Sequence, residues 1–517
     1  MKAMHVLLVG LAVMALAAGD GVEAQGWSEP IQLTETEGQW LSRPLFLFIN
    51  QDDVLHVAYT VQAFELEYPN DEVLYQKFSR TGDPLMDPVP ISIAAGIPDS
   101  TARLLAACLD SEGLFHIIFH STGGWEDDRY YFTFYYTRLN AEGEVVLGPI
   151  ILPDFEMSWG DITNLLVDSN GRLIMGGNSN ILQDTTYVGA VYYQRYNEDI
   201  ELIGETHLLD HNRRPIEDNV RMRMIDGDTL LFVWRQNRNR HNTVHFSKVA
   251  PDDEIVIDDE LLQPRDDWGD LGYSRVIAVD NNSNFIIPLS HTREDYTYIR
   301  KYDSSLNEIF QTRIAENYDN WEDLFVDNNN HIHHVGGYRP PDRRRSLFYF
   351  LLDEGGDFID SCEVVFEHPV RAEEWSDPKV FACEDGFTGV LWLQDLAGGG
   401  EHREILLSYK NFNGVSENDS FKSKTDKAKF YVNYPNPFNS ETNISFYIPI
   451  NFNGRFMIYD VTGRIVFKQN LSGYANGCHI FNWKGMDING KPLPSGKYLI
   501  ELNNKRERAI ESIIIAR

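Results

Sequence analysis

A repeated pattern of an apolar strand, a short polar turn and a second apolar strand constrains this chain more than any other feature. The pattern occurs seven times, and one polar turn residue marks the same position in each copy: Asn50, Asp110, Asp168, Asp226, Asp280, Asp327 and Glu384. Successive markers are about 47 to 60 residues apart, and most copies continue with a third, aromatic strand and a fourth. Four short strands in a unit of this length are typical of one blade of a β-propeller.

The two ends of the repeated region fit together. The seventh copy lacks a clear fourth strand after Tyr409, whereas residues 27–33 have the pattern of fourth strands elsewhere. A first segment that completes the last sheet closes a ring and leaves no open edge there. The sequence therefore predicts an all-β fold, with a seven-bladed β-propeller over residues 25–412. A stack of β-sandwiches or a β-solenoid is the alternative.

The N-terminus has the pattern of an export signal. Lys2 precedes a mostly apolar run over residues 6–18, and Val22-Glu23-Ala24 places small residues at both outer positions of a cleavage site. We therefore expect residues 1–24 to be a signal peptide, with a buried N-terminal helix as the alternative. No later segment has eighteen continuous apolar residues, so no membrane span is expected after the signal is removed.

The last part of the chain differs from the rest in charge and style. Residues 413–429 are polar and lysine-rich, which predicts a linker. Residues 430–517 carry a net charge of about +4, although the whole chain carries −33. Six or seven short strands joined by Gly and Asn turns predict a small immunoglobulin-like β-sandwich here.

A set of Pro, Gly and aromatic positions gives this tail a specific signature. Its members are Pro435, Asn436, Pro437, Phe438, Gly463, Trp483, Gly485, Gly496 and Tyr498. The tail resembles the C-terminal sorting domain of the type IX secretion system of Bacteroidetes-like bacteria, and the related sandwich of flagellar hook-capping proteins. The resemblance implies that an outer-membrane secretion machinery reads this domain, and that the propeller is secreted or held at the cell surface. The end, Ile513 to Arg517, departs from the lysine-flanked strand often found in such domains.

Charge and cysteine content exclude several classes of partner and scaffold. A net charge of −33 repels phosphate backbones and anionic lipid, so neither nucleic acid nor an acidic membrane surface is expected as a partner. Four cysteines are too few for a disulfide scaffold in 517 residues. We expect Cys108 and Cys383, on inner strands, to be reduced and buried.

The loops at one end of a propeller usually form its binding face, because they vary while the sheets stay rigid. On that face the ligand-binding candidates are Trp40, Trp159, Trp268, Trp321, Trp375, Arg235, Arg240, Arg339 and Arg345. Trp stacks on sugar rings and is enriched at binding hot spots, and Arg binds carboxylates through two parallel hydrogen bonds. The alternatives are that each Trp fills a gap between blades and that the Arg loops are solvated.

No recognisable catalytic or metal motif accompanies these candidates. His56, His116 and His333 occupy equivalent positions that are apolar in other copies, which indicates packing rather than a metal site. The Asp- and Asn-rich turns resemble fragments of calcium loops but lack the terminal Glu, and β-turns explain them. No cofactor is expected, and no P-loop, nucleophile elbow or zinc motif is present.

The repeat loosely resembles sialidase-like propellers, but no Asp box is found. The sequence favours a non-catalytic module that binds an extracellular glycan or protein. A glycoside hydrolase of sialidase-like type, or a lyase, is the main alternative, and a purely structural surface-layer protein is the third.

Overall fold

The computed structural model describes 27–35, 39–63, 71–92, 102–126, 129–152, 160–183, 186–209, 220–238, 241–262, 271–273, 276–291, 296–316, 318–338, 346–367, 375–396, 403–411, 428–434, 436–448, 452–472, 477–504 and 507–517. These residues form β-strands and turns, with no helix among them. Consequently none of them belongs to a helix long and apolar enough to cross a membrane. The predicted signal peptide and most of the predicted linker lie outside the described residues.

Seven antiparallel sheets follow one another along residues 31–411, and their strands pair in chain order. Sheet 1 contains Gln39–Ile49, Val54–Ala63, Asp71–Ser79 and Val89–Pro90. Sheet 2 contains Ala102–Leu109, Phe115–Glu126, Arg129–Leu139 and Val145–Ile151. Sheet 3 contains Gly160–Val167, Leu173–Gln183, Thr186–Tyr196 and Leu202–Leu208. Sheet 4 contains Arg221–Ile225, Thr229–Arg238, His241–Val249 and Ile255–Leu261.

The remaining three sheets have the same plan. In sheet 5 the first strand is divided, so the sheet contains Leu271–Tyr273, Ala278–Val279, Phe285–His291, Tyr296–Tyr302 and Glu308–Glu316. Sheet 6 contains Tyr318–Val326, Ile332–Tyr338, Ser346–Leu352 and Phe358–Glu367. Sheet 7 contains Trp375–Ala382, Phe387–Asp395, Arg403–Asn411 and, from the N-terminus, Ile31–Gln32.

The seven sheets form a closed ring. The first strands of consecutive sheets contact one another in order, and the first strand of sheet 7 contacts that of sheet 1. A separate apolar cluster fills each of the seven interfaces between neighbouring sheets. Burial between sheets on both faces explains why the inner strands are apolar at consecutive positions. The architecture is propeller-like, as the repeat predicts, and a stack of separate sandwiches is wrong.

The N-terminal segment closes this ring. Ile31 is paired with Leu407 in the third strand of sheet 7, and the Ser28 and Leu33 N–H groups donate to the carbonyls of that strand at 2.8 Å. Trp27 is 5% exposed and packs edge-on against Tyr349 of sheet 6, with 5.2 Å between ring centroids. The predicted role of residues 27–33 is therefore confirmed.

The turn between the first and second strands has one construction in five sheets. Asp110 Oδ1 accepts hydrogen bonds from the N–H groups of Glu112 and Leu114, at 2.9 and 2.8 Å. The same two bonds are made in the other sheets by Asn50, Asp168, Asp280 and Asp327. Asn and Asp favour such turns because the short side chain reaches the following backbone. The carboxylates singled out as calcium-loop fragments thus organise the turns.

Two of the seven marker positions need correction. In sheet 7 the Cys383 N–H donates to the Phe387 carbonyl at 2.8 Å, so Cys383, rather than Glu384, begins the equivalent turn. In sheet 4, Ile225 pairs with Thr229, so the turn at Asp226 is two residues shorter than that of sheet 2. The sequence comparison aligned the copies by polar residue type, whereas the backbone hydrogen bonds show which residue begins each turn.

The C-terminal region forms two further sheets around a core of its own. One contains Lys429–Tyr434, Thr442–Ile448 and Gly477–Trp483, and the other contains Ile465–Asn470, Gly454–Asp460, Gly496–Asn504 and Arg508–Ile515. The shared core includes Phe438, Phe456, Trp483 and Ile500. Lys429, assigned to the linker from the sequence, instead begins a strand.

Candidate functional site

One rim of the ring carries three of the predicted Trp positions. Trp40 and Trp375 pair with Gln62 and Gln394, near the ends of the second strands of sheets 1 and 7. Trp321 lies at a register shift near the start of the first strand of sheet 6. Sheets 6, 7 and 1 are neighbours in the ring, so the structure places these three positions side by side at one end of the sheets.

The other candidates are distributed differently. Arg235 lies near the end of the second strand of sheet 4, at the same rim, and is partly buried. Trp159, Trp268, Arg240, Arg339 and Arg345 lie outside the described residues. The structure adds Trp125, which pairs with Tyr130 at the tip of the hairpin of sheet 2. Its position between the second and third strands could have identified it from the sequence.

Charged side chains from three first strands meet near the ring axis. We call Arg221, Arg223, Asp323, Asp377 and Lys379 the axial cluster. Lys379 Nζ donates to Asp377 Oδ1 at 3.0 Å, and the two side chains are 21% and 15% exposed. Asp377 Oδ2 accepts the Leu45 N–H at 2.6 Å, and Asp323 Oδ2 accepts the Val380 N–H at 3.0 Å.

The electrostatics of the axial cluster extend across the axis. Burial raises the pKa of Asp323 above its ordinary range, although the Lys379 ammonium and the Val380 N–H pull it down. Burial lowers the pKa of Lys379, but the charges of Asp377 and Asp323 outweigh burial and raise it. Arg223 acts on Asp323 from two sheets away in the ring, and Arg221 acts on Lys379 from three sheets away. Three cations therefore face two carboxylates in a strongly acidic protein. Sequence patterning missed this cluster because its members are distant along the chain.

The three equivalent histidines are buried hydrogen-bonding groups. His56, His116 and His333 each share a hydrogen bond through Nδ1 with a Tyr hydroxyl on the neighbouring strand, at 2.7, 2.8 and 2.7 Å. Their Nε2 atoms face the first turn of the sheet. His116 Nε2 lies 3.1 Å from Asp110 Oδ2, and His333 Nε2 lies 3.4 Å from Asp327 Oδ2. In sheets 2 and 6 the histidine thus fastens the turn to the sheet.

Sheet 1 has no turn carboxylate beside its histidine. Asn50 occupies the turn position, His56 Nε2 is buried without a hydrogen-bond partner, and burial together with Lys77 lowers the His56 pKa to about 4. Folding therefore favours neutral His56. The stability that this provides is lost as the pH falls from about 6.5 through about 4.

Replacing Asn50 with Asp should raise the pKa of His56 from about 4 towards its ordinary value, because a carboxylate near Nε2 stabilises the imidazolium. An NMR titration of the His56 ring would measure this change. Asn197→Asp, in the turn between the third and fourth strands of sheet 3, is the matched control and should leave that pKa unchanged. A His56 pKa that stays near 4 in Asn50→Asp would contradict the proposed electrostatic role of the turn.

Three side chains that could bind a metal ion lie between sheets 7 and 1, but the guanidinium of Arg80 already balances their negative charge. Asp53, Cys383 and Asp385 place their ligand atoms within 4.8 Å of one another. Arg80 donates to the two carboxylates at 2.9 and 2.7 Å and lies over the Phe387 ring. Burial, with the nearby Asp53, raises the pKa of Cys383 to about 12. A protonated thiol is a poor metal ligand, so this geometry favours a salt bridge that links the ends of the ring.

The sorting-domain signature converges on the core and the chain terminus. Asn436 Oδ1 accepts the Ile514 N–H at 2.8 Å, and Phe438 packs against Trp483 with 5.6 Å between ring centroids. The Arg517 guanidinium donates to the carbonyls of Asn439, Leu493, Lys484 and Gly485. Gly485 has φ +63°, and a Cβ there would lie 2.8 Å from the Arg517 side chain. Pro435 lies outside the described residues.

Comparison with known protein families identifies the C-terminal domain. Residues 432–516 match the family described as the secretion system C-terminal sorting domain. This match indicates export through a type IX secretion system to the cell surface or the extracellular space, and interaction of the domain with that machinery. No curated protein matches the chain.

Several solved structures are similar to this chain at low sequence identity. A protein of unknown function from Dyadobacter fermentans has a TM-score of 0.45 and 10% identity, over 74% of this chain and 98% of that chain. PorZ, a surface component of the type IX secretion system of Porphyromonas gingivalis, has a TM-score of 0.40 and 12% identity, over 92% and 59%. The NanB sialidase of Streptococcus pneumoniae has a TM-score of 0.39 and 9% identity, over 72% and 68%.

Proposed function

We propose that this type IX-exported protein is a seven-bladed β-propeller, followed by an immunoglobulin-like sandwich, that binds an extracellular glycan or protein at its Trp-bearing rim. The observation that carries the proposal is the placement of Trp40, Trp321 and Trp375 on three neighbouring sheets at one end of the ring. Indole faces stack on sugar rings and dominate binding hot spots. Export to the cell surface or beyond gives this rim access to extracellular polymers.

The axial cluster supports an acidic ligand for this rim. Most of the protein repels anions, because the chain carries −33 overall. Arg221, Arg223 and Lys379 concentrate positive charge near the axis, and Arg235 adds a guanidinium at the rim. A local positive patch on a negatively charged protein attracts the anionic group of a ligand to that patch. We therefore propose a carboxylated glycan as the preferred class of ligand.

A double substitution tests the Trp rim. Trp321→Ala with Trp375→Ala should weaken binding of the glycan selected on an array by about 30-fold or more, because hot-spot residues contribute about 2 kcal/mol. Replacing both by Phe keeps an aromatic face and should retain most of the affinity. Leu85→Ala changes an exposed side chain on the outer part of sheet 1 and should have no effect. An unchanged affinity in the Ala double variant, or no binding to any glycan or surface protein, would reject the proposal.

Hydrolysis of a bound glycan is the second candidate function, and Asp323 is the observation that favours it. Burial raises its pKa, the direction that a general acid requires, and Asp377 supplies a second carboxylate in the same cluster. Acid catalysis with paired carboxylates is the usual route to glycoside cleavage. A panel of fluorogenic sugars measures turnover, and Asp323→Asn should abolish turnover while binding persists. If no substrate is turned over, hydrolysis is rejected and binding is the proposed function.

A further inference from the structure

One face of the four-stranded sheet in the C-terminal domain is apolar and exposed. Residues paired across neighbouring strands lie on the same face, and Tyr459 pairs with both Ile465 and Leu499. Glu501 pairs with Met457 and Ile510, and Lys497 pairs with Ile514. Four aliphatic side chains on this outer face are 38% to 48% exposed: Ile465, Leu499, Ile510 and Ile514. The opposite face supplies the buried core of the domain.

Basic residues border this outer face. Register places Arg455, Lys468, Lys497 and Arg508 on it, and all four are exposed. Among the described residues of these strands, the one carboxylate on this face is Glu501. An apolar centre with a positive border is complementary to an apolar surface bordered by carboxylates.

Glu501 does not cancel the positive border. It is 2% exposed and accepts hydrogen bonds from Asn503 at 2.8 Å and from Arg508. Burial raises the pKa of Glu501, but hydrogen bonds from Tyr459, Asn503 and Arg508 outweigh burial and lower it. Its charge is therefore neutralised within the sheet, and the exposed Arg455, Lys468 and Lys497 set the sign of the border.

We infer that this outer face is the docking surface for the export machinery, through a receptor protein whose contact surface is apolar and bordered by carboxylates. The inference rests on the export role of the domain and is independent of glycan binding at the rim. Contiguous exposed apolar area on a small domain marks interaction sites. The positive border accelerates association with an acidic partner and excludes basic ones.

The test uses the full chain, produced in a bacterium with a type IX secretion system. Leu499→Asp and Ile510→Asp place a carboxylate in the apolar centre and should lower the exported fraction about tenfold or more, since one such defect costs at least about 1.4 kcal/mol of binding. The amount retained in the periplasm is measured against the amount at the surface and in the medium. Reversing Lys468 and Lys497 together to Glu should also lower export, whereas changing both to Arg should preserve it.

Two controls separate docking from folding and from charge alone. Val256→Asp introduces the same carboxylate at a 55% exposed position on the outer strand of sheet 4 and should be exported normally. Leu499→Val keeps the face apolar and should also be exported normally. Unfolding midpoints of the purified variants should match the unchanged protein.

Three outcomes decide the matter. Retention of both Asp variants with unchanged unfolding supports the inference. Normal export of both overturns it. It is also overturned if the variants dissociate a dimer in solution while export continues, because the face would then join two copies. Glycan binding by the same purified proteins is measured separately, so a failed docking surface and a failed ligand rim are distinguishable.

Discussion

Replacing Trp27 with Ala should destabilise the ring by about 3–5 kcal/mol, the usual cost of truncating a buried Trp. The side chain is 5% exposed and fills the interface between sheets 6 and 7 with Tyr349 and Trp392. It also anchors the segment that supplies the last strand of sheet 7. Loss of this anchor loosens the edge strand Ile31–Gln32 from Arg403–Asn411, so the two ends of the ring separate more readily. The free energy of unfolding is measured with urea.

Leu85→Ala is the control for this experiment, because Leu85 is 51% exposed and surface truncations change stability by about 0.5 kcal/mol or less. Thr34→Ala tests the same closure without a large cavity. Thr34 Oγ1 donates to Glu404 Oε2 at 2.6 Å and accepts the Ile405 N–H at 3.0 Å, so its loss should cost about 1–3 kcal/mol. Equal unfolding midpoints for Trp27→Ala and Leu85→Ala would show that the N-terminal segment does not hold the ring closed.

The repeat allowed the ring to be predicted because each sheet is built from local patterns. Alternating strands and Asx turns are encoded within about 60 residues, and an Asn or Asp such as Asp110 begins the turn in five of the seven sheets. The closing strand was also accessible, since an incomplete seventh copy and a spare segment near Trp27 left one consistent arrangement. The fold therefore follows from features that are close together in the chain.

The interior charges could not be predicted in the same way. Asp323 and Lys379 lie on different sheets, and no spacing in the sequence relates them to Arg221. The partners of the turn carboxylates also come from different strands in different sheets. His116 fills the role in sheet 2, whereas Lys301 fills it in sheet 5. Residue identity alone suggested simple packing for the histidines, because their hydrogen-bond partners lie on the next strand.

Lys301 forms a deeply buried ion pair of this turn system. Its Nζ lies 2.8 Å from Asp280 Oδ2, and the two side chains are 2% and 0% exposed. Nζ also donates to the Glu354 carbonyl of sheet 6 at 3.1 Å. Burial raises the pKa of Asp280, but hydrogen bonds from Lys301 and Asn284 outweigh burial and lower it. The ionised Asp280 thus depends on a cation that reaches it through the core of the ring.

Replacing Lys301 with Met should cost about 3–5 kcal/mol at pH 7, because removing one partner leaves a buried charge uncompensated. The cost should shrink as the pH falls towards 4, since protonation of Asp280 relieves the uncompensated charge. Urea unfolding at both pH values measures it.

Lys301→Met with Asp280→Asn should recover most of the loss, because a neutral pair avoids the charge altogether. Sheet 1 already uses the neutral solution, with Asn50 in the turn and neutral His56 beside it. If the double variant is no more stable than Lys301→Met, the ammonium contributes through packing and its bond to Glu354. If the double variant recovers, charge compensation is what Lys301 supplies, and the five turns that begin with Asn or Asp are interchangeable solutions to one electrostatic problem.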